Sequence, residues 1–511
     1  MVDIDDLRKS LHGPTAVEQL LGIVDSLQQQ LSASQQQLQV SQQQLKSAQA
    51  RIVELEKRLP PPKEQQAYSL DAEQKRQAKR RPNKNKRTVT RRGRLKTKDK
   101  IALAERTEQV FPEGVPPESC RLSHTRVLWR LEHGQAVLIA YEVYRGPNKQ
   151  YGQIPGTLGR CEFGLEIVTQ IAFLVHHVGL SFDKVVMLLH FFQNLELSKS
   201  QANRLLDRLA KQWEREFETL CALLAESLVV HADETSWSIN SVWTLLSEKA
   251  RLLVFGVNKD AETLKKLLDP AVFAGLVISD HAAVYATFSQ MQKCWAHLLR
   301  KAIKLTLTEP THIGYRQFMD GLLAIYQDAR RLQIDQRFGV DGRKEAVTRL
   351  ADRVWELCPP SELGEEARQR RLTGTAHEFE LLVREVFDLN TRGELFVFVT
   401  TPPVEQPNGE TKPVSGTNNE AERTLRPPAL ARKTGRVNKT LAGARRQTIL
   451  ASVLDSLRLY LKKYTFRNVM TEILRWQKQG LSCFEKLLRQ RNLQPAADIL
   501  DRLYPDLAAT G

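Results

Sequence analysis

Three acidic residues stand in sequence contexts that suit catalysis. Asp233 follows the apolar run LVVHA and Asp280 follows GLVIS, so each comes at the end of a predicted strand. Glu422 lies in a third segment, TNNEAERTLR, among side-chain amides and arginines. Two carboxylates that lie close together repel unless a cation separates them, so the aspartates predict ligands for Mg²⁺ or Mn²⁺. A third carboxylate would complete a two-ion site, which suits phosphoryl transfer on nucleic acid.

The two apolar runs predict where the aspartates lie. Each run is too apolar to have a face in water, which indicates strands in the middle of a sheet. Ligand sites in such sheets lie beyond the carboxyl ends of the strands, so Asp233 and Asp280 should meet there. Glu234 follows Asp233 directly and should face the other way. In the third segment Glu420 competes with Glu422, because spacing alone does not say which side chain points inward.

The positive charge of the chain is concentrated in two stretches. The sequence has 75 Lys and Arg against 59 Asp and Glu, a formal net charge of +16. Residues 75–100 hold 14 basic residues and one acidic residue, and residues 423–446 hold 8 basic and no acidic residues. Such runs predict phosphate contacts, with simple solvation as the alternative for the first. The first run has no aromatic residue, which favours a double-stranded DNA backbone over stacking on single-stranded bases. The expected DNA-binding residues in these stretches are Arg80, Arg81, Arg87, Arg91, Arg92, Arg94, Arg423, Arg426, Arg432 and Lys433.

The N-terminal region carries a heptad pattern. Apolar residues recur every seven positions from Val17 to Leu59, which predicts a coiled coil in residues 1–60 and a homo-oligomer formed through residues 17–59. A coiled coil needs two apolar positions in each heptad, and only one of them is apolar throughout this region. An amphipathic helix folded against its own chain is therefore the alternative. Three prolines at 60–62 end the helix. Residues 61–104 then form a basic arm that is either disordered or tracks DNA.

The remaining chain divides into six predicted regions. Two predicted helices, SFDKVVMLLHFFQNL and SKSQANRLLDRLAKQWEREF, are joined by a short turn. They form either a helix-turn-helix that presents Lys199 and Arg204 to a major groove or a plain helical connector. The predicted regions are a small hairpin-containing segment (105–160), helices (161–226), the first part of the catalytic core (227–300), a mostly helical insertion (301–410), the last part of the core with the third acid (411–450) and C-terminal helices (451–511).

The cysteines and the apolar stretches indicate in which cellular compartment the protein works. Six scattered cysteines form no CxxC pair, which fits a reducing cytosol better than a disulfide framework. The acidic start is unlike a signal peptide, and we expect no membrane association. Cys294 and His297 form a CxxH sequence, which is half of a metal site. A packed cysteine beside a hydrogen-bonded histidine is the favoured interpretation, and we assign this pair no role.

Three strings, taken in order, resemble one family. HADETSW, SDHAAVYATFSQMQKCWAHLLRK and TNNEAERTLRPPALARK are similar to segments of the DDE transposases of the insertion sequence 66 family, and the resemblance runs from about residue 160 to 465. It implies an α/β fold in which a ribonuclease-H-like catalytic domain carries the helical insertion. It also implies that Asp233, Asp280 and Glu422 are the catalytic, metal-binding triad, and it selects Glu422 over Glu420.

The resemblance further implies an activity and its partners. The expected enzyme cuts the ends of a mobile element and joins the 3′-hydroxyl to target DNA by two-metal phosphoryl transfer. The bacterial cytoplasm, with association with the nucleoid, is the expected location, and proteins encoded by the same element are candidate partners. The alternatives are a ribonuclease-H-like nuclease that cuts without joining and a DNA-binding regulator with an inactive catalytic domain.

The chain departs from the family pattern in two ways. Family members usually carry a cysteine-rich, zinc-finger-like segment before the catalytic domain, whereas this chain has only Cys120 and Cys161 there. We therefore predict no structural zinc. His281 and Thr417 stand where the family often has glycine and aspartate, which leaves the three acids intact but bears on the local geometry.

Overall fold

A computed structural model describes residues 96–280, 282–359 and 373–508, together with 29, 32–36, 39–40, 42–44 and 46–47. The chain divides into two units, residues 1–94 and 95–511. The described residues of the first unit are helical and exposed. Most of the predicted coiled coil and the arm up to residue 95, with Arg80, Arg81, Arg87, Arg91, Arg92 and Arg94, lie outside the described residues.

The second unit begins with a short helix and a three-stranded sheet. Strand β2 (Arg121–Glu132) turns back into strand β3 (Gln135–Arg145) at His133 and Gly134. Both of these residues have positive φ angles, as a tight hairpin requires. Strand β1 lies beside β3 in parallel. These elements are α1 (Thr97–Ala102), β1 (Arg106–Val110), β2 (Arg121–Glu132) and β3 (Gln135–Arg145).

Four helices follow. The first continues into a π-helical turn at Phe173–His177. At the start of α3 (Phe182–Gln193), Ser181 accepts a hydrogen bond from the Lys184 amide. At the start of α4 (Lys199–Gln212), Ser198 forms a capping box with Gln201. The helices are α2 (Leu165–Ala172), α3 (Phe182–Gln193), α4 (Lys199–Gln212) and α5 (Glu214–Ala225).

A five-stranded mixed sheet forms the centre of the unit. Its strand order is β6-β5-β4-β7-β8, in which β4, β5 and β6 are antiparallel while β4, β7 and β8 run in parallel. All residues of β5 and β7 are buried, as their apolar sequences predict. The elements are β4 (Val229–Ser236), β5 (Ser241–Ser247), β6 (Arg251–Val257), α6 (Ala261–Leu267), β7 (Leu276–Ser279) and β8 (Met291–Lys293).

A largely helical segment interrupts this core and covers one face of the sheet. Its buried side chains pack together with Val229 of β4 and with Leu276 and Ile278 of β7. The chain leaves and returns beside β8, since the Lys293 amide donates to the Glu394 carbonyl. The elements are α7 (Trp295–Thr308), α8 (Ile313–Ile334), α9 (Val340–Leu357), α10 (Gly374–Thr391), α11 (Val397–Thr400), β9 (Val404–Glu405) and β10 (Thr411–Lys412).

The C-terminal part of the chain and helices α2, α4 and α5 together cover the other face of the sheet. Helix α13 is buried along most of its length and packs on β6. No helix among the described residues is long and apolar enough to cross a membrane. The remaining helices are α12 (Asn419–Lys433), α13 (Leu441–Tyr460), α14 (Phe466–Gln479), α15 (Cys483–Gln490), α16 (Ile499–Leu503) and α17 (Pro505–Ala508). Mixed sheets and abundant helices confirm the predicted α/β class.

Candidate active site

The strand register brings two acidic positions to the same end of the neighbouring parallel strands β4 and β7. The last parallel pair between β4 and β7 joins His231 to Ile278. Asp233 stands two residues beyond His231, and Asp280 two residues beyond Ile278. Side chains alternate along a strand, so Asp233 shares the face of Val229, which the helical insertion covers.

Asp233 lies in an unfavourable environment for a negative charge. Burial, and after it the negative charges of Asp280, Glu234 and Glu422, raise the pKa of its carboxyl group to about 7. A hydrogen bond of 2.9 Å from the Glu234 amide to Oδ1 opposes this shift only in part. Asp280, Glu234 and Glu422 thus lie near enough to Asp233 for their charges to act on its carboxyl group.

Asn418 fixes the start of α12 against the sheet. Its side-chain amide donates to the Ala232 carbonyl at 2.8 Å, one residue before Asp233. Its backbone amide donates to Cys294 Sγ at 3.1 Å, and the Cys294 amide donates to the Ser279 carbonyl at 3.0 Å, one residue before Asp280. This buried residue therefore links the segment that carries Glu422 to both strands that carry the aspartates.

Glu422 faces the first helix of the insertion. Its Oε1 accepts a hydrogen bond of 2.6 Å from Arg300 Nη2 and lies 3.6 Å from His297 Nδ1. Its side chain is 21% exposed, so the carboxylate remains accessible to small ions. The ligand atoms of Cys294, His297 and Glu422 all lie within 4.8 Å of one another.

Cys294 has a structural contact rather than a free thiolate. Burial raises the pKa of its thiol, and its sulfur accepts the Asn418 amide. Carboxylates are the donors that Mg²⁺ and Mn²⁺ prefer, whereas a cysteine and a histidine would suit a softer metal. Asp233, Asp280 and Glu422 offer donors of the kind that a hard divalent cation takes, and the charge of such a cation would relieve the repulsion around Asp233.

The two rival acids are engaged elsewhere. Glu420 pairs with Arg251 of β6; desolvation opposes its ionisation, but the charge and hydrogen bond of Arg251 prevail and lower its pKa. Glu234 accepts a hydrogen bond from the Tyr285 hydroxyl, and its Oε1 lies 3.0 Å from Lys259 Nζ. All three glutamates thus have a cationic partner, which is Arg251 for Glu420, Lys259 for Glu234 and Arg300 for Glu422.

The predicted DNA-binding cations within the described residues have varied surroundings. Arg423, Arg426 and Lys433 are exposed on α12, while Arg432 donates to the Ser236 carbonyl at the end of β4. On α4, Lys199 pairs with Asp183 at 2.6 Å, and the exposed Arg204 donates to the Ser200 carbonyl of its own helix.

Sequence reasoning missed two neighbours of the acids. Lys293 is buried beside Asp280, where its ammonium donates to the Asp280 carbonyl at 3.1 Å. Arg300 holds Glu422. The spacing of Arg300 could have indicated its position. It stands three residues after His297 and six after Cys294, so on a helix it lies on the same face as the histidine of the CxxH sequence.

A known protein family matches the part of the chain that carries the three acids. The model of the family described as "Transposase IS66 family" matches residues 160–446, which is more than half of the chain. A search of curated proteins found no match.

Proposed function

The chain belongs to the IS66 family of transposases, and from this premise we propose that it cuts the ends of a mobile DNA element and joins the 3′-hydroxyl to target DNA. We assign the five-stranded sheet to a ribonuclease-H-like catalytic core and propose Asp233, Asp280 and Glu422 as ligands of Mg²⁺ or Mn²⁺. The observation that carries the proposal is the position of Asp233 and Asp280, each two residues beyond the last parallel pair of β4 and β7, with charges that act on each other. Such a cluster of acids is costly unless a cation binds there.

The residues of the chain have distinct roles in this reaction. Two bound divalent ions would supply activation of the attacking oxygen and stabilisation of the leaving oxygen. Asp233 must lose its proton before it can serve as a ligand. Asn418 holds α12 in place, so that Glu422 stays within reach of the aspartates. Lys293 fixes the backbone of Asp280. The exposed Arg426 and Lys433 can hold phosphate groups of the DNA beside the acids.

The DNA partner and the assembly belong to the same proposal. Double-stranded element ends and target DNA would bind the two basic stretches, and residues 17–59 would join copies of the chain. Proteins encoded by the same element are candidate partners, and the nucleoid of a bacterial cytoplasm is the proposed location. The match to a transposase family supports the DNA partner.

We expect Asp233→Asn to abolish strand cleavage in Mg²⁺ while DNA binding is largely retained. The amide keeps the size of the side chain but removes the anionic ligand. Cleavage of a DNA substrate with paired element ends is measured on denaturing gels, and binding is measured by mobility shift. Cleavage that persists in Asp233→Asn would refute the assignment.

A matched pair of variants tests the third acid. Glu422→Gln should lose cleavage, whereas Glu420→Gln on the same helix should retain most of it, because Glu420 pairs with Arg251. Product analysis on the same substrate separates the related functions. Joined molecules indicate a transposase, cut but unjoined products indicate a nuclease, and binding without any cleavage indicates a regulator.

A further inference from the structure

A large cleft lies on the side of α12 away from Glu422. Its volume is about 1660 Å³, and it is bordered by the α3–α4 region, by β6 and by α12 and α13. Glu420 lines it, whereas Glu422 stands two residues further, about 200° around the helix axis. The cleft is therefore separate from the three acids Asp233, Asp280 and Glu422.

The acids that line the cleft are neutralised by neighbours. Lys199 pairs with Asp183 at 2.6 Å. Arg251 pairs with Asp455 at 2.7 Å and also with Glu420. These ion pairs remove the repulsion that a phosphate group would otherwise meet on entering the cleft.

Four cations in the cleft have no carboxylate partner among the described residues. Arg204 and Arg423 donate to carbonyl groups of their own helices, and both are exposed. Arg436 donates to the Gly179 carbonyl, and Lys439 is exposed. Arg204 approaches the cleft from α4, while the other three approach from α12 and the loop after it. An occupant between these elements meets uncompensated positive charge from two sides.

The cleft also offers apolar surface beside the cations. Leu180, Phe182 and Pro427 contribute to its lining. Its volume exceeds the roughly 300–1,000 Å³ of pockets for single small molecules. A duplex presents phosphates outward and keeps its base faces covered, whereas an unpaired strand offers phosphates and base faces together. Positively charged grooves with aromatic side chains on which bases stack are the usual sites for single strands, and Phe182 is such an aromatic side chain in this cleft.

We propose that this cleft binds a short segment of single-stranded DNA, with phosphates on Arg204, Arg423, Arg436 and Lys439. The inference rests on the proposed function, because cutting of a DNA end would supply the unpaired strand. The rim of the cleft is fixed to the end of β4. Trp237 Nε1 donates to Asn438 Oδ1 at 3.2 Å, and the Ser238 hydroxyl donates to the Asn438 carbonyl at 2.8 Å.

The test uses the full-length protein and a double variant, Arg204→Gln with Lys439→Gln. Both side chains are exposed, and within the described part of the chain neither bonds to another element, so the fold should be retained. The probe is a fluorescein-labelled oligothymidylate, and its dissociation constant is measured by anisotropy over a range of KCl concentrations. The slope of log K against log salt should fall by about 1.4, because each phosphate contact on a single strand contributes about 0.7.

The control variant is Arg349→Gln with Lys486→Gln, which removes two exposed cations outside the cleft and should leave the slope unchanged. An unchanged slope in the cleft variant would refute the site. An equal fall with a duplex of the same length would refute its preference for single strands. Asp233→Asn should bind the oligothymidylate with the wild-type slope. If Asp233→Asn still cleaves DNA, the proposed function fails while the single-strand result stands by itself.

Discussion

The acidity of Asp233 connects the fold to the proposed chemistry. Its pKa of about 7 results first from burial and then from the charges of Asp280, Glu234 and Glu422. An acid with a raised pKa keeps its proton over a wider pH range in the folded protein than in the unfolded chain. Folding therefore works against the ionised form of Asp233, and a bound cation is the natural compensation.

Metal affinity should accordingly depend on pH. Below pH 7 the Asp233 carboxyl group is protonated, so metal binding has to release a proton and should weaken by about tenfold per pH unit. Above pH 7 the carboxylate is already formed, and the affinity should level off. Calorimetric titration of Mn²⁺ into the DNA-free protein across this range measures the effect. Asp233→Asn should show weak, pH-independent binding, and a flat profile for the wild type would contradict the prediction.

The sequence predicted the two aspartates better than the glutamate. The apolar runs predict that both residues follow a strand: Asp280 does directly follow β7, whereas Asp233 lies within β4, two residues beyond its last parallel pair with β7. Spacing could not choose between Glu420 and Glu422, because the choice depends on contacts far away in the sequence. Arg251 engages Glu420, and Arg300 engages Glu422.

At the scale of elements, α13 completes the outer edge of the central sheet. Strand β6 is the last strand on its side, so the backbone amides along that edge need partners. Three hydroxyl groups of α13, four residues apart, accept these amides at 2.9 Å each. The pairs are Thr448 with Phe255, Ser452 with Leu253 and Ser456 with Arg251. Helix α13 thereby closes an edge that would otherwise be free to pair with another strand.

Ser452→Ala should destabilise the protein by about 1–3 kcal/mol, because the buried Leu253 amide would lose its acceptor. The free energy of unfolding in urea measures the loss, and amide hydrogen exchange at Leu253 should become faster. Thr471→Ala is the matched control, since its hydroxyl is exposed and bonds only within its own helix. Equal stability of both variants would contradict this role for α13.

This pairing could not be predicted from the sequence. The segment TILASVLDSL has the apolar character of a buried helix, and its hydroxyl groups look like tolerated small residues. Their purpose depends on a strand about 200 residues earlier in the chain, as the Ser452 to Leu253 separation of 199 residues shows. Periodicity reports which face of a helix is buried, but it does not report which element covers that face.

At the scale of the whole molecule, the helical insertion is part of the candidate site. The third acid comes 142 residues after Asp280, the difference between positions 422 and 280. The chain closes this interval by leaving and rejoining the sheet beside β8, where the Trp295 amide donates to the Gly416 carbonyl at 3.1 Å. Helix α7, which runs from the predicted region 227–300 into the predicted insertion 301–410, contributes Arg300 and His297 beside Glu422. The helix that begins the interruption therefore lies against the third acid.

The basic arm is the other feature that concerns the whole molecule. Its last part belongs to the folded unit, because α1 begins at Thr97 and Lys100 pairs with Glu162 at 2.6 Å. Removing Lys96, Lys98 and Lys100 from the 14 basic residues of 75–100 leaves 11 in residues 75–95. A test of the arm should therefore alter residues 75–95 alone, so that α1 stays intact.

Replacing residues 75–95 by a Gly/Ser linker of equal length should flatten the salt dependence of duplex affinity. Each phosphate contact that is lost lowers the slope of log K against log salt by about 0.9, so a fall of several units is expected if the arm follows the duplex backbone. Anisotropy with a duplex of arbitrary sequence measures the slope. As a control, exchanging every arginine of the arm for lysine keeps the charge of the arm and should therefore preserve the slope. An unchanged slope in the linker variant would mean that the arm is solvated charge without a DNA partner.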